Sequence, residues 1–305
     1  MKNLTTYLLA TAALLVAAVS CNKEGNEPEG QTAVLSYDVN LSEAATKAIG
    51  DGSTVDKLAC AVYDGSTLYA NAAVSKDGEN FTYAPSLYYG KTYTVVFFAY
   101  KDEAYTVNDG LTTITRSGNG EVADAFTYKE TVKINADGKL TINGVASEQT
   151  VDNHSVTLSR PFAQLNIGTE SLVDLSNAGA IAVRVTLTGC AATYSADSEA
   201  YAGNETVTYT STVSDFSTNK FSVNSTEYSL VSLNYLFASG NVNATIEVLK
   251  GESVIRTIVI ANVPLNANQK TNIYGNLVKG ELEFNVTMNA GFGKNEEGKD
   301  NEIEI

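Results

Sequence analysis

A chain of 305 residues, 44% hydrophobic and 18% charged, is too apolar for wholesale disorder and long enough to bury one large core or two of about 130 to 150 residues each. Its 20 Lys and Arg stand against 35 Asp and Glu, a net charge of −15 that repels a phosphate backbone, and no basic groove offsets it, so nucleic acid is excluded as a partner. Thr, Val, Tyr, Asn, Ser and Gly are abundant and Trp is absent, a composition for β-sheet with many turns.

Residues 1–20 read as a secretory signal: Lys2, an apolar run from Leu8 to Val19, then small residues before Cys21. The run falls short of the roughly 20 apolar residues a spanning helix needs. Ser20-Cys21 has the form of a bacterial lipobox, in which signal removal leaves the cysteine as the lipidated first residue, although Ala18 stands where leucine is usual. The alternative is an ordinary cleaved signal with an incidental cysteine. With Cys21 lipidated, Cys60 and Cys190 remain, either as one disulfide or as two buried thiols.

Residues 21–32 form a polar, acidic tether containing Pro28. Between Thr32 and Ser42 the odd positions Ala33, Leu35, Tyr37, Val39 and Leu41 are apolar and the even ones polar apart from Val34, which predicts a strand with one buried face. Thr46-Lys47-Ala48, with Gly50 and Gly52, predicts an exposed loop. An anchor, a removable strand and a basic site therefore follow one another. Asp64-Gly65 predicts a hairpin between Leu58–Tyr63 and Leu68–Val74. Val95-Val96-Phe97-Phe98 is apolar on both faces, so Thr92–Tyr100 is expected at the centre of a sheet between two layers. From Lys101 the pattern weakens, and Arg116–Gly120 predicts a surface loop suited to binding. Asp137-Gly138 joins a further hairpin, and the polar stretch Ser147–His154 reads as a boundary.

Ser155–Ile167 is expected to open a second set of strands. Glu170–Ala178 has room for a helical turn or two before Gly179. Strands follow at Ile181–Leu187, Val207–Thr212, Phe221–Val223, Tyr228–Phe237, Asn243–Leu249 and Ser253–Ile260, and Leu282, Phe284, Val286 and Met288 alternate as cleanly as the first strand. About fifteen short strands with no long helical period predict an all-β chain of two sandwiches, over residues 33–150 and 155–292, before an acidic tail at 293–305.

Chemistry-bearing patterns are missing. His154 is the sole histidine and sits in a polar stretch, where it is expected to be solvated; a histidine triad or multi-histidine metal site is excluded. Gly90-Lys91-Thr92 ends like a phosphate loop, but Pro85 stands where the first glycine belongs. A calcium loop from Asn135 fails at Ala146, the place of its bidentate acid. No pair of carboxylates is distinguished from the rest. The chain is read as no enzyme, with no catalytic, metal or cofactor residues.

The lipobox at Cys21, Ala45-Thr46-Lys47-Ala48, the strand Leu58–Tyr63, the phrase Leu158-Ser159-Arg160-Pro161-Phe162-Ala163-Gln164-Leu165 and the late Thr271-Asn272-Ile273-Tyr274-Gly275-Asn276-Leu277 together resemble fimbrillin-like lipoproteins, which include type V pilus subunits. The resemblance implies two tandem transthyretin-like β-sandwich domains, the second beginning near Leu158. It implies an outer-membrane lipoprotein held by lipid on Cys21 and, in polymerising members, cut after a basic residue by a trypsin-like protease. Here the cut falls between Lys47 and Ala48, with lysine where many members have arginine. Loss of the first strand then opens a groove for a strand from another pilus subunit. The other implied role is a static surface lipoprotein at the outer membrane that binds a glycan or host protein through loops such as Lys101–Gly120, with Tyr88, Tyr89, Tyr100 and Tyr105 available to stack on sugars.

Overall fold

Alternation of apolar and polar residues makes most of the described residues β-strand in the computed structural model, which describes residues 30–42, 52–76, 78, 80–117, 122–216, 220–223, 225–237, 240–279, 285–290 and 301–304. The first half holds β1 (Thr32–Val34), β2 (Tyr37–Leu41), β3 (Lys57–Asp64), β4 (Thr67–Ser75), β5 (Phe81–Tyr83), β6 (Ser86–Tyr88) and β7 (Thr92–Tyr100). It continues with β8 (Tyr105–Val107), β9 (Ile114–Arg116), β10 (Ala125–Ile134), β11 (Lys139–Ile142), β12 (Val145–Thr150) and β13 (His154–Leu158). The second half opens with β14 (Phe162–Thr169), the short helix α1 (Leu172–Asn177), β15 (Ala182–Cys190), β16 (Thr193–Ser195), β17 (Ala200–Ala202) and β18 (Glu205–Thr212). Then come β19 (Lys220–Val223), β20 (Thr226–Phe237), β21 (Gly240–Lys250), β22 (Ser253–Leu265), β23 (Gln269–Gly275), β24 (Asn285–Ala290) and β25 (Asn301–Glu304).

A six-stranded sheet, β12-β11-β10-β7-β3-β4, and the three-stranded β13-β2-β5 enclose the first core. The second core lies between β19-β20-β14-β23-β24-β25 and β18-β15-β21-β22. Pairing is antiparallel except at β2 with β13 and β14 with β23, which run parallel. The expected hairpins form: β3 pairs with β4 around Gly65, and β10 with β11 around Gly138, both glycines with positive φ. α1 starts where the Ser171 side chain accepts from Asp174 N and ends before Gly179 at φ +73.

β7 sits between β10 and β3. Val95 and Phe97 enter the first core, while Val96 and Phe98 enter a third cluster on the other face, which explains the uninterrupted apolar run. That third cluster joins the halves: Ala61, Phe98, Tyr105 and Ile114 meet Phe162, Tyr194, Tyr235 and Phe237. Four short strands, β17-β16-β9-β8, cross the same seam. The expected binding loop at Arg116–Gly120 is therefore corrected in part. Arg116 belongs to β9, is 9% exposed, donates to Ala191 O at 3.1 Å and pairs with Glu205, because the apolar Tyr105, Leu111 and Ile114 are drawn into the cluster; residues 118–121 lie outside the described set.

Residues 145–150 form β12, and β13 pairs with β2, so His154, Val156 and Leu158 point into the first half and the chain crosses over at Ser159-Arg160-Pro161. The reason is alternation itself: the inward side chains of β13 match the open flank of β2. Residues Asn301–Glu304 of the acidic segment extend the sheet as β25 beside β24.

Cys60 and Cys190 are both free and buried, one in each main core. Burial pushes the Cys60 thiol well up, and that of Cys190 up to about 11 against the opposing pull of Arg116. Ellman's reagent is expected to modify neither Cys60 nor Cys190 in the folded protein at pH 8 and both in 6 M guanidinium; fast native-state labelling of either of these two would contradict this packing.

Candidate functional site

The alternating stretch that opens the described chain becomes two strands. β1 pairs with β6, and β2 lies between β13 and β5, in register from His154↔Tyr37 to Leu158↔Leu41 on one side and from Tyr37↔Tyr83 to Val39↔Phe81 on the other. At the break between them, Leu35 N donates to Pro85 O at 2.9 Å and Ser36 N to Val151 O at 2.7 Å. β2 is thus an interior strand, with ladder bonds on both flanks. Leu35, Tyr37 and Val39 are fully buried in the first core, as the period of two demands, while Leu41 is half-buried. At about 1.5 to 3 kcal/mol per large apolar side chain, these three contribute on the order of 5 to 9 kcal/mol, an upper bound.

Tyr37 also anchors a buried polar cluster. Its hydroxyl donates to Glu130 Oε1 at 2.9 Å, His154 Nε2 donates to the same oxygen at 2.6 Å, and Tyr128 donates to Oε2 at 3.2 Å. His154 Nδ1 faces Gln149 Oε1. The imidazole thus has a polar partner at each ring nitrogen. The ring of Tyr37 meets Phe97 edge-on at 5.0 Å and His154 at 4.8 Å. Burial, then the neighbouring Glu130 charge, holds the Tyr37 phenol well above its usual range and raises Tyr128 to about 12, so both remain donors at neutral pH.

His154 is therefore no solvated boundary residue: it is 1% exposed, because β13 turns it inward opposite Tyr37. The sequence carried a signal for this cluster. Glu130 stands in the row Phe126, Tyr128, Glu130, Val132 and Ile134, and His154 in the row His154, Val156 and Leu158, each a polar residue on the apolar face of an alternating strand.

Cys21, Lys47 and Ala48 lie outside the described residues. Tyr105 is buried and Tyr100 packs against it and Phe98, so neither offers a stacking face, while Tyr88 and Tyr89 are half-buried and Lys91 lies 5.6 Å over the Tyr88 ring. Among the described residues no group of three or more His, Cys, Asp or Glu is placed to hold a metal, and no helix is long and apolar enough to cross a membrane.

A family model described as a family of unknown function, DUF6562, matches residues 26–305. Solved structures with similar folds include a DUF1812 protein of Bacteroides thetaiotaomicron described as a candidate polysaccharide-binding protein, at 9% identity and TM-score 0.50, covering 89% of this chain and 98% of that one. A fimbrial assembly protein of Parabacteroides distasonis is similar at 13% identity and TM-score 0.48, over 85% of this chain and 97% of that one. The fimbrial anchor protein Mfa2 of Porphyromonas gingivalis is similar at 10% identity and TM-score 0.44, over 79% and 91%. No curated protein matches the sequence.

Replacing Glu130 by leucine strips the buried His154 of its carboxylate and two tyrosines of their acceptor. Equilibrium unfolding in urea is expected to show a loss of about 3 to 5 kcal/mol for Glu130→Leu. Tyr37→Phe, which removes one donor, is expected to lose about 1 to 3 kcal/mol. Wild-type stability in both variants would refute the cluster.

Proposed function

The chain belongs to the DUF6562 family of unknown function, and we propose that it is a non-enzymatic, fimbrillin-like structural or adhesive component of the cell surface that assembles by strand exchange. On this reading lipid on Cys21 holds the precursor in the outer membrane, and cleavage between Lys47 and Ala48 frees the segment that carries β1 and β2. The partners are other pilus subunits.

One observation carries the proposal: β2 fills the middle of its sheet and comes before the basic site in the chain. Cleavage of a strand at a sheet edge would leave a smaller but closed sandwich. Loss of β2 instead leaves β13 and β5 facing each other with unpaired ladder groups and opens the core over Phe97, Phe81 and Val156. Such a gap favours capture of a replacement strand, since main-chain pairing supplies affinity and the alternating side chains refill the pockets. No metal, cofactor or nucleophile enters the scheme.

A second reading, a static surface lipoprotein that binds a glycan or host protein, draws on the polysaccharide-binding description of the DUF1812 neighbour. Tyr69, 38% exposed and edge-on to Tyr88 at 6.5 Å, is the aromatic side chain best placed to serve it.

Brief trypsin treatment of the folded protein separates the two. Strand exchange predicts a selective cut giving a new N-terminus at Ala48, followed by release of the segment that carries β1 and β2 and uptake of an added strand in its place. A cut chain that stays monomeric with the 30–47 segment bound would overturn it and favour the static role.

A further inference from the structure

We propose that the seat of β2 selects its occupant chemically, accepting an extended strand that presents tyrosine at the place of Tyr37 with apolar residues two positions to either side. The inference rests on the strand-exchange reading and names the kind of partner that reading requires.

The seat is not a uniformly apolar slot. Its floor carries Glu130, whose side chain has no exposure, beside His154 at 2%. Oε1 of Glu130 takes one hydrogen bond from His154 and one from Tyr37. An incoming aliphatic residue would fill the volume yet leave a buried carboxylate oxygen one donor short, in a place from which water is excluded. An acidic residue would bring a second negative charge against Glu130. A lysine could bring its ammonium to Glu130 but would lose the ring that meets Phe97 at 5.0 Å and His154 at 4.8 Å and would have to be stripped of its strong hydration. Tyrosine alone combines a ring that packs on Phe97 and His154 with a hydroxyl at the required reach. Leu35 and Val39, both fully buried, set the apolar positions on either side, and the strand must run parallel to β13.

This chain holds a second stretch of the same spacing. Leu282, Phe284, Val286 and Met288 repeat Leu35, Tyr37, Val39 and Leu41, with phenylalanine in the tyrosine position. Val286 and Met288 are already paired in β24 between β23 and β25, and a copy that released this stretch to another would still leave Glu130 short of its donor. The favoured occupant is therefore a different chain carrying the tyrosine, and the seat disfavours polymerisation of this chain with itself.

The selection is read with labelled nonapeptides added in excess during trypsin cleavage of the full chain. One copies residues 33–41, a second is the same peptide with Tyr37→Phe, and a third copies residues 280–288. Fluorescence anisotropy and co-elution on gel filtration report capture. The tyrosine peptide is expected to bind roughly ten- to a hundredfold more tightly than either phenylalanine peptide, the scale of one buried hydrogen bond to a charged group. Equal capture of the first two peptides overturns the selection and leaves strand exchange standing. Capture of none, with the native segment still held by the cut chain, overturns both.

Discussion

A carboxylate sealed from water is tolerable only where donors surround it, and Glu130 is such a group. Two of the donors come from other strands, Tyr37 on β2 and His154 on β13, and the third, Tyr128, lies two residues away on β10 itself. These contacts hold only if β2 lies between β13 and β5 in the register observed. A slip of one residue would turn Tyr37 to the other face, strand the charge and expose Leu35 and Val39 together. Apolar burial supplies most of the stabilisation here, and the polar cluster makes one register far better than its neighbours.

The sheet formed by β10, β7 and β3 is covered on both faces, and this is what couples the two halves. One face closes the first core; the other meets side chains of β14, β16 and β20 in an aromatic cluster, reinforced by the β9–β16 pairing and by Arg116 against Glu205. Residues that the sequence leaves as a weakly patterned loop are spent on this seam.

A strand that is both central to a core and early in the chain has a double character. While present, it completes the fold; once removed, it leaves a shaped and chemically marked vacancy. On the proposed strand exchange, the side chains that stabilise the uncut chain also define what fits afterwards, and β2 keeps the seat closed until cleavage because it occupies it at an effective concentration no separate strand can match.

Much of this was legible in the sequence. Period-two alternation located the strands, Asp-Gly pairs located the hairpins at Gly65 and Gly138, and a doubly apolar run marked β7 as central, because these depend on local geometry and on which faces meet water. The alternation at Leu35, Tyr37 and Val39 likewise foretold a buried face. It did not tell that β2 would be an interior strand, that β13 would run parallel beside it, or that His154 would be enclosed, because pairing partners are chosen by side chains far apart in the chain. Composition and local pattern determine which residues seek burial; only the tertiary structure decides who shares it, and that choice put Tyr37, Glu130 and His154 within hydrogen-bonding reach across 117 positions of sequence between Tyr37 and His154, where the buried charge is satisfied.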